Sequence, residues 1–212
     1  MKSNRRVFYV FYSRDEHDQS VLDAICYLAD PGEKNRAHVT VRGPYTQRRG
    51  VPAISRAVDG SEIAVTGVDA FLEPGQNTVF FAVSAPSLAA VWHKPDFPNS
   101  TPHLTIYDGK SRDFAIRLRS RLQQINPRFR FRATPLTPLV TKKGQGTFDL
   151  RTAFDEDLVK TVTGTRVAAD GVSELPAEER IDLIAKLCSR LVERPETGNI
   201  VSNRVSGVEQ IR

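Results

Sequence analysis

Two tripeptides, His38-Val39-Thr40 and His103-Leu104-Thr105, each set a histidine two places before a threonine inside a run of aliphatic and β-branched residues. In an extended strand, residues i and i+2 point to the same face. Each tripeptide therefore offers an imidazole and a hydroxyl side by side. Val39 and Val41, or Leu104 and Ile106, turn the other way into packing.

Such a pair of pairs suits one kind of chemistry. Cleaving a phosphodiester without a metal needs a base for the attacking oxygen and an acid for the leaving oxygen. Imidazole, with an ordinary pKa of about 6.5, serves as either near neutrality. Two threonine hydroxyls between two imidazoles can donate hydrogen bonds to the non-bridging oxygens, where charge collects in the transition state. The competing reading is two unrelated strand histidines with satisfied hydrogen bonds. Threonine in both motifs, aliphatic flanks in both and similar placement in two similar halves favour a single site. His17 and His93 have no threonine two places on and are not candidates.

The elements around the motifs repeat a pattern. Residues 6 to 12 read as a strand, and residues 15 to 29 as a helix with Val21, Leu22, Ile25 and Leu28 on one stripe, stopped by Asp30-Pro31-Gly32. The first motif strand spans 37 to 42 and closes at Gly43-Pro44; strands over 61 to 72 and 77 to 84 follow, then a short helix from Ser87 to His93. A turn-rich loop, 95 to 102, delivers the second motif strand, 103 to 107. A helix over 111 to 125 carries Phe114, Leu118, Leu122 and Ile125 on one stripe, and residues 127 to 136 read as one strand.

Past a connector at 141 to 147 the pattern changes to helices, over 152 to 162 and 176 to 193. The second has Glu178 and Glu179 in its first turn, and Ile181, Ile184, Leu187, Cys188 and Leu191 as its apolar stripe. The expected organisation is a two-lobed α+β domain over 1–145 and a helical C-terminal extension over 146–212, packed on the core or on a partner.

Composition narrows the partners. With 40% hydrophobic and 26% charged residues the chain has the balance of a globular protein, and no run approaches the roughly 18 apolar residues of a membrane span. The start leads into a strand pattern and not into a leader, so the expectation is an untargeted, cytoplasmic protein with no membrane partner. Cys26 and Cys188 lie in separate helical patterns with no CxxC pair, which reads as two buried thiols and gives no sign of zinc or any other metal. Residues 151 to 212 hold nine Lys/Arg against eleven Asp/Glu, so the net +5 of the whole chain leaves +7 on residues 1 to 150, where both motifs lie. A basic field there favours an anionic partner, a phosphate ester or nucleic acid.

HVTV, residues 38 to 41, and HLTI, residues 103 to 106, resemble the twin H-x-T/S-x signatures of the two-histidine (2H) phosphoesterase superfamily, which includes the 2′,5′ RNA ligase-like proteins and cyclic phosphodiesterases. The similarity spans roughly residues 5 to 140. It implies a bilobal, pseudo-twofold α+β fold in which two antiparallel-sheet lobes flank a central cleft. It also implies cofactor-free, metal-independent chemistry on 2′,3′-cyclic phosphates, the 3′ oxygen leaving, or on 2′,5′-linked nucleotides and RNA. His38 and His103 would then be the acid/base pair, and Thr40 and Thr105 the phosphate-binding hydroxyls. A non-catalytic nucleotide- or RNA-binding module and an RNA 2′,5′ end ligase use the same residues and stay open, as do the physiological substrate, the division of roles between the histidines and the oligomeric state.

Four further residues are second-tier substrate ligands. Arg42 lies by alternation on the face of His38 and Thr40, and Tyr45 and Tyr107 lie just past the motifs, where a ring can stack on a base. In Arg128-Phe129-Arg130-Phe131-Arg132 the phenylalanines are core and the arginines share the other face, from which Arg130 can reach a phosphate.

Overall fold

The computed structural model describes residues 5–32, 35–47, 52–93, 101–142 and 150–192. Seven strands, β1 (Arg5–Phe11), β2 (Val39–Tyr45), β3 (Glu62–Glu73), β4 (Gln76–Ser84), β5 (His103–Gly109), β6 (Arg130–Arg132) and β7 (Thr137–Lys142), form one antiparallel sheet in the order β6-β3-β4-β5-β2-β1-β7. The helices are α1 (Glu16–Ala29), α2 (Pro52–Val58), α3 (Pro86–Val91), α4 (Arg112–Ile125), α5 (Leu150–Ala153), α6 (Glu156–Thr163) and α7 (Ala177–Val192). The architecture is mixed α+β, and its two motif strands are neighbours at the centre of the sheet, meeting at Val39↔Leu104.

Helix signals in the sequence act where they stand. Asp15 caps α1 by accepting from the Asp18 amide, and Ser111 caps α4 by accepting from Phe114. The stripes Val21, Leu22, Ile25 and Leu28 of α1 and Phe114, Leu118 and Leu122 of α4 are all buried. They share a single apolar cluster with Val39, Val41, Leu104 and Ile106 from the inward face of the motif strands. The apolar stripe of α7 enters the same cluster, as do Leu150 and Val159. The described residues from 150 to 192 thus share the core of the sheet. Arg180 of α7 ties them in: its guanidinium lies 4.8 Å over the Phe114 ring and donates to the Leu28 carbonyl at 3.2 Å.

Several elements depart from expectation, and the single helix read over 152 to 162 is two, α5 and α6. The first motif strand does not close at Gly43-Pro44 but runs on to Tyr45. Gly43 adopts a φ of +106°, and a Cβ there would lie 2.6 Å from the Val7 carbonyl oxygen, so only glycine lets β1 approach this closely. Residues 127 to 136, read as one strand, contribute only β6; β7 follows on the opposite edge of the sheet. Pro135 breaks the run, and Pro138 is tolerated in β7 because an edge strand has one side without ladder bonds. Between β6 and β7 the chain bridges the sheet's two sides, with Ala133 N–H donating to the Ser61 carbonyl and Thr134 N–H to the Tyr12 carbonyl. The short helix α2 leaves no periodic signal in the sequence, since it spans two turns and puts Val58 into the core.

The loop expected over 95 to 102 lies outside the described residues up to 100, and the connector outside them from 143. Residues 193 to 212 lie outside them as well. Among the described residues no helix is long and apolar enough to cross a membrane.

Candidate functional site

Antiparallel pairing at Val39↔Leu104, carried one residue either way, sets His38 opposite Thr105 and Thr40 opposite His103. With Val39 and Leu104 buried at 0% and 2% exposure, the four polar side chains occupy the other face of the sheet. The two imidazoles are diagonal neighbours across one strand spacing, about 7–8 Å apart at the backbone, each flanked by both hydroxyls. A depression of about 210 Å³ is lined by His38, Thr40 and Thr105, together with Asn35, Arg36, Asp108, Phe8, Leu139 and Thr141 among others. His103 lies outside that lining, against aromatic side chains.

Both rings are held in the same way. His38 Nδ1 lies 2.6 Å from the Arg36 carbonyl oxygen, and His103 Nδ1 lies 2.7 Å from the Thr101 carbonyl oxygen. A carbonyl only accepts, so Nδ1 carries the proton in each ring and Nε2 is the atom that takes or gives one.

The support behind His38 goes deeper. Asp23 of α1, 1% exposed, accepts from the Ala37 amide at 2.7 Å, from Arg36 Nε at 2.8 Å and from Gln19 Nε2 at 2.9 Å. Gln19 also donates to the Ala37 carbonyl. These bonds pin the two residues before His38, including the carbonyl that orients its ring. Burial raises the Asp23 carboxyl above its ordinary pKa against the lowering pull of the Ala37 amide and Arg36.

Each motif strand is bulged directly after its threonine. Pairing with β1 slips between Val10↔Thr40 and Tyr9↔Arg42, making Val41 the extra residue, and pairing with β4 slips between Phe80↔Thr105 and Val79↔Tyr107, making Ile106 the extra residue. A bulge re-aims the side chains that follow it. Tyr107 accordingly turns into the core, its ring 5.0 Å from Phe114 and its hydroxyl accepting from the Ser111 amide. It is not available to stack on a base. Asp108 takes the outward face instead, accepting from Thr78 Oγ1 at 2.7 Å.

Arg42 and Tyr45 also lie away from the motif cluster. Alternation from Thr40 does not carry through the bulge, and Arg42 Nε reaches the Tyr45 hydroxyl at 3.4 Å. That hydroxyl shares a 2.6 Å hydrogen bond with His93 Nδ1, and the Tyr45 ring is buried in a small cluster with Val7 and Tyr9. Arg130 sits on edge strand β6, separated from β5 by β3 and β4, and pairs with Glu62. The arginines of α4, which precedes β6, are answered by acids: Arg117 by Asp113 and Glu178, Arg119 by Asp69, Arg121 by Asp182. Phe129 and Phe131 are buried as expected.

Sequence reading missed the aromatic neighbours of the imidazoles. Tyr12 stands edge-on to His38 at 6.3 Å, while Phe80 and Phe71 flank His103 at 4.9 and 5.9 Å. These come from strands far away in sequence, and no local spacing announces them. Burial holds the Tyr12 phenol above its ordinary pKa, with Arg36 opposing. Among the described residues no group of three or more His, Cys, Asp and Glu side chains is placed to hold a metal ion.

Neither protein-family models, nor the curated proteins, nor the solved structures give a match to this chain.

Proposed function

We propose that the chain is a metal-independent phosphodiesterase of the two-histidine type, opening 2′,3′-cyclic phosphates or cleaving 2′,5′-linked nucleotide or RNA substrates. His38 and His103 are the acid/base pair, and Thr40 and Thr105 hold the phosphoryl oxygens. In the cyclic case water attacks phosphorus, one Nε2 accepts its proton, the P–O3′ bond breaks, and the other Nε2 protonates the leaving oxygen. The product is a 2′-phosphate.

The observation that carries this reading is the matched anchoring of the rings. Two imidazoles, one immediately before β2 and one opening the adjacent β5, each bond Nδ1 to the carbonyl two residues back, an orientation that suits proton transfer through Nε2 beside two hydroxyls. The twofold arrangement about Val39 and Leu104 supports the bilobal 2H fold assignment, with β6-β3-β4-β5 and β2-β1-β7 as the halves.

Hydrolysis of a 2′,3′-cyclic nucleotide tests it. His38→Ala and His103→Ala each lower kcat by about 100-fold or more while nucleotide binding persists, and wild-type turnover survives EDTA. Full turnover in both variants removes the assignment, and loss of turnover on chelation points to metal chemistry. Binding without turnover in the wild type identifies a non-catalytic nucleotide-binding module.

A further inference from the structure

The surroundings of the two imidazoles differ. Beside His38 stands Tyr12, the residue that follows β1, with its ring edge-on to the imidazole. Across from His103, β4 places Ala82, whose side chain is a single methyl group. Beside the His103 ring lie Phe80, opposite Thr105, and Phe71, which β3 places opposite Thr78. Their rings are 4.7 Å apart.

Phe80 is 3% exposed and Phe71 is 43% exposed, so the pair forms an anchored ring with an open ring laid against it. Phe71 is one of three large apolar side chains exposed among the described residues, and it stands 5.9 Å from His103. An exposed aromatic ring beside a functional side chain is apolar surface that a flat ligand can cover.

We propose that Phe71, backed by Phe80, is the platform on which the substrate's nucleobase stacks, so that the nucleoside lies on the His103 side of the cleft. This rests on the phosphodiesterase reading, and it narrows the substrate to phosphodiesters carrying a base within one ribose of the reacting phosphorus. Stacking reads the π-face that every base has, so the platform accepts several bases and favours larger ring systems.

Calorimetric titration with adenosine 2′-monophosphate and with the base-free methyl ribofuranoside 2-phosphate tests the proposal without requiring turnover. The wild type binds the nucleotide about tenfold or more tightly than the base-free phosphate. Phe71→Ala brings that ratio towards one, and Phe71→Trp retains it. A ratio near one in the wild type, or a ratio unchanged in Phe71→Ala, overturns the platform. Hydrolysis of cyclic nucleotides is measured alongside: turnover with an unchanged ratio sinks the platform alone, whereas a ratio lost in Phe71→Ala without any turnover sinks the hydrolase reading alone.

Discussion

Val39 faces Leu104 across the seam between β2 and β5, and the two His-x-Thr motifs are arranged twofold about that pair. Both side chains point into the core, so the packing that holds the seam also sets the spacing of the imidazoles on its other face. Leu104→Ala, at 2% exposure, is expected to cost about 2–5 kcal/mol in urea unfolding and to lower kcat as well. Leu187→Ala in α7, equally buried but remote from the seam, lowers stability with kcat unchanged. Equal kcat in the two variants would separate the seam from the chemistry.

Thr40→Val and Thr105→Val keep the branched shape and remove the hydroxyl. Each is expected to lower kcat by about 100-fold, the loss of one preorganised donor to a developing charge. Groups acting as a unit are not additive, so the double variant falls short of the product of the two. Single-turnover rates check this, and a change confined to KM would assign the hydroxyls to ground-state binding.

The proposed acid/base pairing needs one imidazole neutral and the other charged, so kcat/KM against pH is expected to be bell-shaped. Removing one histidine abolishes the corresponding limb in the residual rate. A profile with a single limb in the wild type would show that only one imidazole titrates in the mechanism.

Asp23 lies beneath the site and acts on His38 through Ala37 and Arg36. Asp23→Ala is expected to lower kcat by about 100-fold with little change in KM, as misorientation of a reacting group does. The stability effect has its own sign. Burial raises the carboxyl's pKa in the folded chain, so its stabilising contribution is complete below the ordinary carboxylate value of about 4 and is lost as pH rises through the raised value. The stability of the wild type relative to Asp23→Asn therefore falls as pH rises out of that range, then levels off. A difference that instead grows with pH would mean that the Arg36 pair outweighs burial.

A nucleoside on the Phe71 side puts the leaving 3′ oxygen next to His103 and the attacking water next to His38, because attack and departure are in line. His103 is then the acid. Replacing the leaving oxygen by sulfur removes the need for protonation, so such a cyclic substrate is expected to restore much of the rate lost in His103→Ala and none of that lost in His38→Ala. The reverse pattern would exchange the roles.

Local pattern was enough for most elements and for the motif residues themselves. The apolar stripes of α1 and α7, and that of α4 except the half-buried Ile125, are buried as their spacing requires, and alternation correctly turns Val39, Val41 and Leu104 away from His38, Thr40 and His103. These are properties of a few consecutive residues, governed by a period of 3.6 or 2. Alternation fails at Arg42 and Tyr107 for one reason: each lies past a bulge, and a bulge exists only through the partner strand's register.

What the amino-acid sequence determined by itself is therefore the pairing of imidazole with hydroxyl on two strands, since side-chain alternation needs no knowledge of the rest of the chain. Tertiary structure alone decided that those strands are neighbours, that Asp23 braces one imidazole, and that Phe71 and Phe80 border the other. Residues 9 to 65 positions apart meet there through strand order and register, which are set by the packing of the whole sheet against its helices.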